Sequence, residues 1–216
     1  MNKNDLKLYA ITDRQWLHGA RLSEHVKLAI EGGVTMIQIR DKDILSTDSD
    51  AGLKDEYSEA LEIKRICHEH KVPLIINDNV QFAIDIDADG VHLGQDDMNP
   101  AEARKLLGTD KIIGVTAKTV EQAKKAQADG ADYLGSGAVF GSTTKLNAKP
   151  MTKELLRKIT AAVDIPVVAI GGINADNAAT LKGTGIAGIA VVGAIFASAD
   201  IKAAARKLAE ICDNML

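Results

Sequence analysis

Aromatic residues are scarce in this chain: one Trp, three Tyr and three Phe among 216 residues, or 3%. So few flat rings leave no stacking platform for single-stranded nucleic acid. Excess positive charge is also missing. Thirty Asp and Glu outnumber 26 Lys and Arg, the net charge is −4, and no basic run stands out, so a nucleic-acid surface has no electrostatic support. Cysteine is nearly absent; Cys67 and Cys212 have no metal-like spacing and read as reduced residues that fill the core. No apolar run is long enough to cross a bilayer, and the opening MNKNDLKLYAITDR lacks the apolar centre of a signal peptide. The expectation is a cytoplasmic protein with no nucleic-acid or membrane partner.

What is present is regular alternation. Short β-branched runs recur as LYAITD (8–13), MIQIRD (36–41), PLIIND (73–78), GVHLG (90–94), KIIGVT (111–116), YLGSG (133–137), PVVAIGG (166–172) and GIAVVGAI (188–195). Each is almost continuously apolar, as in parallel strands buried on both faces. Amphipathic segments lie between them: Ser58 to His70, Thr119 to Asp129, Met151 to Val163 and Ala199 to Cys212. Thr119 and Gln122 have the spacing of a capping box, and Asp-Gly pairs at 89–90 and 129–130 mark where helices stop and strands restart. Eight strands alternating with helices, with no linker or composition break, predict one (β/α)8 TIM barrel, an α/β fold spanning 1–216 as a single domain. A doubly wound sheet is the alternative, but ITDRQWLHG lacks the glycine-rich dinucleotide turn it would need after the first strand.

Barrels of this kind carry their chemistry at the C-terminal ends of the strands. Here those ends read Asp13-Arg14, Gln38-Ile39-Arg40-Asp41-Lys42, Asn77-Asp78, Gln95-Asp96-Asp97, Thr116, the loop after Gly137, Gly171-Gly172 and Val192-Gly193. Asp78 and Asp97 end neighbouring strands and suit one hard cation, Mg²⁺, which takes one or two carboxylates and fills its shell with water and phosphate oxygens. The local alternative is that Asp78 caps the next helix and Asp96-Asp97 opens a solvated turn. Arg40, Lys42 and Lys145 exceed what a metal site requires and suit a diphosphate. The glycines of AIGGIN, with Asn174 read as a helix cap, and Val192-Gly193 in VVGAIF suit backbone binding of a second phosphate. Two phosphorylated small molecules meeting in one pocket is the inference.

These residues resemble the thiamin phosphate synthase family along almost the whole chain. The resemblance rests on YAITDR, GVTMIQIRDK, VPLIINDN, ADGVHLGQDDM, GADYLGSGAVFGSTTK, DIPVVAIGGI and GIAVVGAI in combination. It implies a transferase that joins 4-amino-2-methyl-5-(diphosphooxymethyl)pyrimidine to a thiazole phosphate with Mg²⁺, releasing pyrophosphate. Gln38, Ile39, Arg40, Asp41, Lys42, Asn77, Thr116 and Lys145 would then bind the pyrimidine diphosphate, and Asp78 and Asp97 the metal. Ser142, Thr143, Thr144, Gly172, Val192 and Gly193 would hold the thiazole phosphate. Arg40, Lys42 and Lys145 would carry the electrostatic part of catalysis, and a homo-oligomer is compatible with the family.

The chain departs from the family pattern at three places. Thr116 stands where Ser is usual, Gly193 where Ser is common, and Gly141-Ser142 where Pro and Thr are frequent. His92 reads as a packed histidine, Trp16 as a residue lining or packing on a loop near the mouth, and residues 43–57 as a polar surface loop running into a helix. Three rival readings stand beside the synthase. A thiazole tautomerase-like paralog would want a histidine near the fifth strand's end, where the sequence is Thr116-Ala117-Lys118. A sugar-phosphate aldolase would want a strand-borne lysine. A non-catalytic barrel that binds phosphate ligands is the third.

Overall fold

The computed structural model describes residues 1–40, 50–141 and 150–216, with side chains from residue 55 onward in the second stretch. Eight parallel strands close into a barrel in sequence order, from β1 (Leu8–Ile11), β2 (Met36–Ile39), β3 (Leu74–Asn77) and β4 (Gly90–Leu93) to β5 (Ile112–Thr116), β6 (Tyr133–Gly137), β7 (Val167–Ile170) and β8 (Gly188–Val191). The circle is sealed where Leu8, Tyr9 and Ala10 register with Ile189, Ala190 and Val191. The expected (β/α)8 barrel is therefore the fold, and all eight expected strands are present.

Helices α1 (Leu22–Glu31), α2 (Asp50–Glu69), α3 (Val80–Asp85), α4 (Pro100–Leu107), α5 (Val120–Ala128), α6 (Lys153–Ala161), α7 (Gly193–Phe196) and α8 (Ile201–Met215) follow the strands. Two expected local features are corrected. Thr119 does cap α5 by accepting from the Gln122 N–H at 3.2 Å, but the Gln122 side chain accepts from Lys118 N rather than closing the box on Thr119. Asn174 caps no α-helix: its side chain accepts from Asp176 N, and the next element is a short 3₁₀ turn, Ala178–Leu181. Helix α2 also begins earlier than the sequence suggests. Residues 50–57 belong to it rather than to the polar loop, while 43–49 lie outside the described residues.

The alternation of burial produces two cores. Outward-facing strand residues such as Ile37, Ile76, Val91, Ile113, Leu134 and Ile189 pack under the helices together with Cys67 and Cys212. Both thiols are unpaired and buried, and burial pushes each up to about 12. The lumen holds a smaller cluster of Leu6, Tyr9, Ile11, Met36, Ile75, Tyr133 and Val168. Leu6 ends the 3₁₀ turn Lys3–Leu6 and closes the floor, the N-terminal end of the barrel.

The floor repeats one device three times. Thr35, Asp89 and Asp132 each stand just before an even-numbered strand, and each side chain accepts an N–H at the start of the strand before it: the first residue of β1 and of β3, Leu8 and Leu74, and the second of β5, Ile113, at 2.9, 2.8 and 2.7 Å. A strand that starts a parallel ladder leaves that N–H unmatched, so a short acceptor at this place satisfies it. The result is a tied base, and the charged residues named above gather at the opposite end.

Candidate active site at the barrel mouth

The ends of β2, β3 and β4 gather the charged residues. Gln38 is buried in the lumen and Arg40 stands one pleat above it, its N–H held by the Thr12 hydroxyl at 3.1 Å. Ile39 turns the other way, into the outer core, so only its main chain is available to a ligand. Asp78 follows Asn77 with φ +62°, a conformation that Asp and Asn tolerate better than most residues. Asn77 Nδ2 donates to its carboxylate at 2.5 Å. Asn79, not Asp78, caps α3 by accepting from Phe82 N, which removes the local explanation for Asp78. Asp97 reaches back to accept the Gly94 N–H at 2.6 Å and shapes the turn after β4.

Asp78 and Asp97 lie close enough for the Asp97 charge to act on Asp78, with Arg40 also close enough to be felt by it. Burial and the neighbouring Asp97 raise the Asp78 carboxyl to about 6, against the opposing pull of Asn77 and Arg40. Two carboxylates pressed together in this way are a donor set for a hard cation. Among the described residues no third His, Cys, Asp or Glu joins them, so protein alone does not fill a shell. That fits Mg²⁺, which keeps several waters and shares phosphate oxygens.

The raised carboxyl has a consequence for stability. Asp78 binds its proton more tightly in the folded than in the unfolded chain. Metal-free stability is therefore lost as pH rises from about 4 through about 6, the window between the ordinary and the raised value. Asp78→Asn, which keeps the shape and tolerates the positive φ, is expected to melt a few degrees higher than the parent at pH 7.5 in EDTA and no higher at pH 4. An equal offset at both pH values would show that the carboxylate pair is not strained.

The other half of the mouth is built from small residues. Thr116 ends β5, and the Gln95 amide donates to its carbonyl at 2.6 Å, tying the turn after β4 across to β5. Gly171 and Gly172 have φ +99° and +66°, and a Cβ on Gly172 would come within 2.7 Å of Phe140 O. These two glycines are thus required by close packing on the segment after β6. Val192 accepts from Ile195 and Phe196, which leaves the Gly193 and Ala194 N–H groups outside the ladder of α7 and, among the described residues, with no backbone acceptor. Gly193 is under no such crowding, since its Cβ would lie 3.8 Å from its nearest neighbour. Asp41, Lys42, Ser142, Thr143, Thr144 and Lys145 lie outside the described residues.

Three residues with no part in the site expected from sequence form a polar thread through the lumen. Tyr9 and Tyr133 meet hydroxyl to hydroxyl at 2.9 Å, and Gln38 Nε2 donates to Tyr9. Tyr133 also meets His92 Nδ1 at 3.0 Å, and His92 Nε2 meets the Thr116 hydroxyl at 3.0 Å. His92 is packed, as expected, and burial pushes its pKa down to about 4. The signal available in the sequence was tyrosine at inward strand positions, where an aliphatic lumen has no use for a hydroxyl. Trp16 packs on the outer core and lines a cavity between α1 and α8, away from the carboxylate pair.

A closed eight-stranded parallel barrel whose ionisable residues converge at the C-terminal mouth defines the class: a (β/α)8-barrel enzyme acting on small molecules. Residues 8–195 match the family described as thiamine monophosphate synthase. The thiamine-phosphate synthase of Ruminiclostridium cellulolyticum is 49% identical over 99% of this chain and 98% of its own length. That of Clostridium tetani is 46% identical over 96% of both. The solved thiamine phosphate pyrophosphorylase from Pyrococcus furiosus superimposes with a TM-score of 0.87 at 38% identity, covering 99% of this chain and 98% of that one. The chain belongs to the thiamine monophosphate synthase family, and it is an enzyme of the transferase class.

Proposed function

We propose that the enzyme joins 4-amino-2-methyl-5-(diphosphooxymethyl)pyrimidine to a thiazole phosphate, forming thiamine phosphate and pyrophosphate, with Mg²⁺ at Asp78 and Asp97. The observation that carries this reading is the paired, proton-hungry carboxylates beside Arg40 at one mouth, in a chain of this family. Its small-molecule partners are then the two phosphorylated substrates. No described helix is long and apolar enough to cross a membrane.

In this reading the reaction is a substitution at the pyrimidine methylene. The aminopyrimidine ring is electron-rich and supports positive charge on that carbon as the diphosphate departs. A bound cation would supply Lewis-acid neutralisation of the leaving oxygens. Arg40, Lys42 and Lys145 would hold the diphosphate and balance the charge that builds on it. The N–H groups at Gly193, together with Gly172 and Ser142 to Thr144, would anchor the thiazole phosphate, so that the ring nitrogen meets the methylene in line. No side-chain nucleophile is called for.

The tautomerase-like reading is less favoured. A histidine does stand beside the end of β5, but it is His92 from β4, and both its nitrogens are already bonded. The test is to mix protein, pyrimidine diphosphate, thiazole phosphate and Mg²⁺, and to follow thiamine phosphate after oxidation to its fluorescent thiochrome. Product that disappears with EDTA and returns with added Mg²⁺ supports the reading. Both ligands bound with no product would instead identify a phosphate-binding barrel without turnover.

A further inference from the structure

Strand β4 runs into the turn that carries Asp97, and the way the strand stops is unusual. The registered pairs of β4 and β5 end at Leu93 and Val115. The ladder starts where the Ile112 N–H donates to Asp89 O, and its two-residue repeat would bring the Gln95 main-chain N–H to the Thr116 carbonyl. A side chain makes that rung instead: Gln95 Nε2 donates to Thr116 O at 2.6 Å. We infer that Gln95 is a positioning residue for the proposed cation site. Its amide closes the last rung between β4 and β5, which frees the main chain to turn at Gly94 and holds Asp97 near Asp78.

The turn is tight. Three residues of extended chain span about 10 Å, whereas Asp97 Oδ2 comes back to within 2.6 Å of Gly94 N. Gly94 makes room for this return, since a Cβ there would lie 2.8 Å from the same oxygen. The far end of the turn is fixed by Asn99, which accepts from Ala101 N at 2.8 Å, with Pro100 opening α4. Asp97 therefore stands between a pin on β5 and a pin on α4. Gln95 is exposed, so packing does not hold the first pin once its hydrogen bond is lost.

Asp78 is placed independently of that turn. It sits at φ +62° directly after β3, with Asn77 Nδ2 on its carboxylate at 2.5 Å. Alignment of the two carboxylates then falls to the Asp97 side, and there to Gln95.

The role rests on the proposed Mg²⁺ site, so the test reads the metal and not turnover alone. Gln95→Met keeps the length and loses the donor, and Gln95→Asn keeps the amide but stops one methylene short. Mn²⁺ is the probe, a hard cation with the same oxygen preference, counted in substrate-free protein from the electron paramagnetic resonance of the free ion. Both variants should bind it about tenfold more weakly than the parent. The Gly94 N–H, held by Asp97 in the parent, should exchange with deuterium about tenfold faster in both by NMR. In kinetics the Mg²⁺ needed for half-maximal rate should rise by a similar factor, while the KM for thiazole phosphate stays within twofold.

Unchanged Mn²⁺ binding in both variants would overturn this role. Weaker binding with unchanged Gly94 exchange would overturn it too, because Gln95 would then touch the metal itself instead of placing Asp97. Should Gln95→Met not fold, Gln95→Asn gives the same readouts. A parent that binds Mn²⁺ but makes no thiamine phosphate contradicts the proposed reaction alone, and the Mn²⁺ and Gly94 measurements still decide the role of Gln95. A parent whose reaction needs no divalent cation overturns the metal site and this role with it.

Discussion

Asp97→Asn is expected to lower kcat/KM by about 10³-fold or more while leaving the melting temperature within a few degrees of the parent. The asymmetry comes from the two things Asp97 does. Its Oδ2 accepts the Gly94 N–H and shapes the turn after β4. An asparagine oxygen can still accept that bond, so the turn survives. The negative charge does not survive, and with it goes half of the pair that faces Asp78. With Mg²⁺ held at Asp78 and Asp97 as proposed, losing one of the two charged ligands would weaken the cation's hold and shift more of the departing diphosphate's charge onto side chains. Asp96→Asn, one residue away and exposed, should stay within a few-fold of the parent. Steady-state kinetics at saturating Mg²⁺ and thermal melts of the three proteins make the comparison. Equal losses at 96 and 97 would remove Asp97 from the proposed metal site.

The second large effect concerns the folded state rather than the reaction. Gly188→Ala is expected to cost about 4 kcal/mol or more and to lower the melting temperature by roughly 8–16 °C. A Cβ at this position would lie 1.8 Å from Leu6 O and 2.7 Å from Lys7 O, both main-chain atoms. Neither can step aside, because Leu8 to Ala10 are paired along β8 and Leu6 fills the floor of the lumen. A flexible side chain would yield, whereas a ladder at the closing seam does not. Gly193→Ala is the matched control, with 3.8 Å to its nearest neighbour, and should melt close to the parent. Chemical denaturation of both variants distinguishes this from a general intolerance of alanine in β8 and α7.

The barrel was legible in the sequence because each strand is an apolar run and each run ends in polar residues. Burial on both faces and the placement of chemistry at one mouth write themselves into local composition. Asp78 and Asp97 could be paired on paper because β3 and β4 are adjacent in sequence as well as in space. The lumen thread could not be, since residues 9, 38, 92, 116 and 133 meet only once the circle closes. Asn174 and Asn177 illustrate a finer limit. Both suit a turn or a cap, and which of them precedes the 3₁₀ turn depends on how the chain leaves Gly172, whose carbonyl is held by Asn177 at 2.9 Å. The Thr119 cap was readable from its hydroxyl, whereas the reach of Gln122 to Lys118 depended on the path of the loop before it.

The seam between β1 and β8 also sets a schedule. Leu8 leaves the ribosome early and Gly188 late, and at roughly 5–20 residues per second the interval is on the order of 10–40 s. Until then β1 has a partner on one side only, and its other edge, with Leu6 beside it, is open to any passing strand. A nascent chain of this protein therefore has no closing strand for β1 for most of its synthesis. Its last strand does more than add to the sheet, because its arrival is the moment at which the molecule ceases to have an edge.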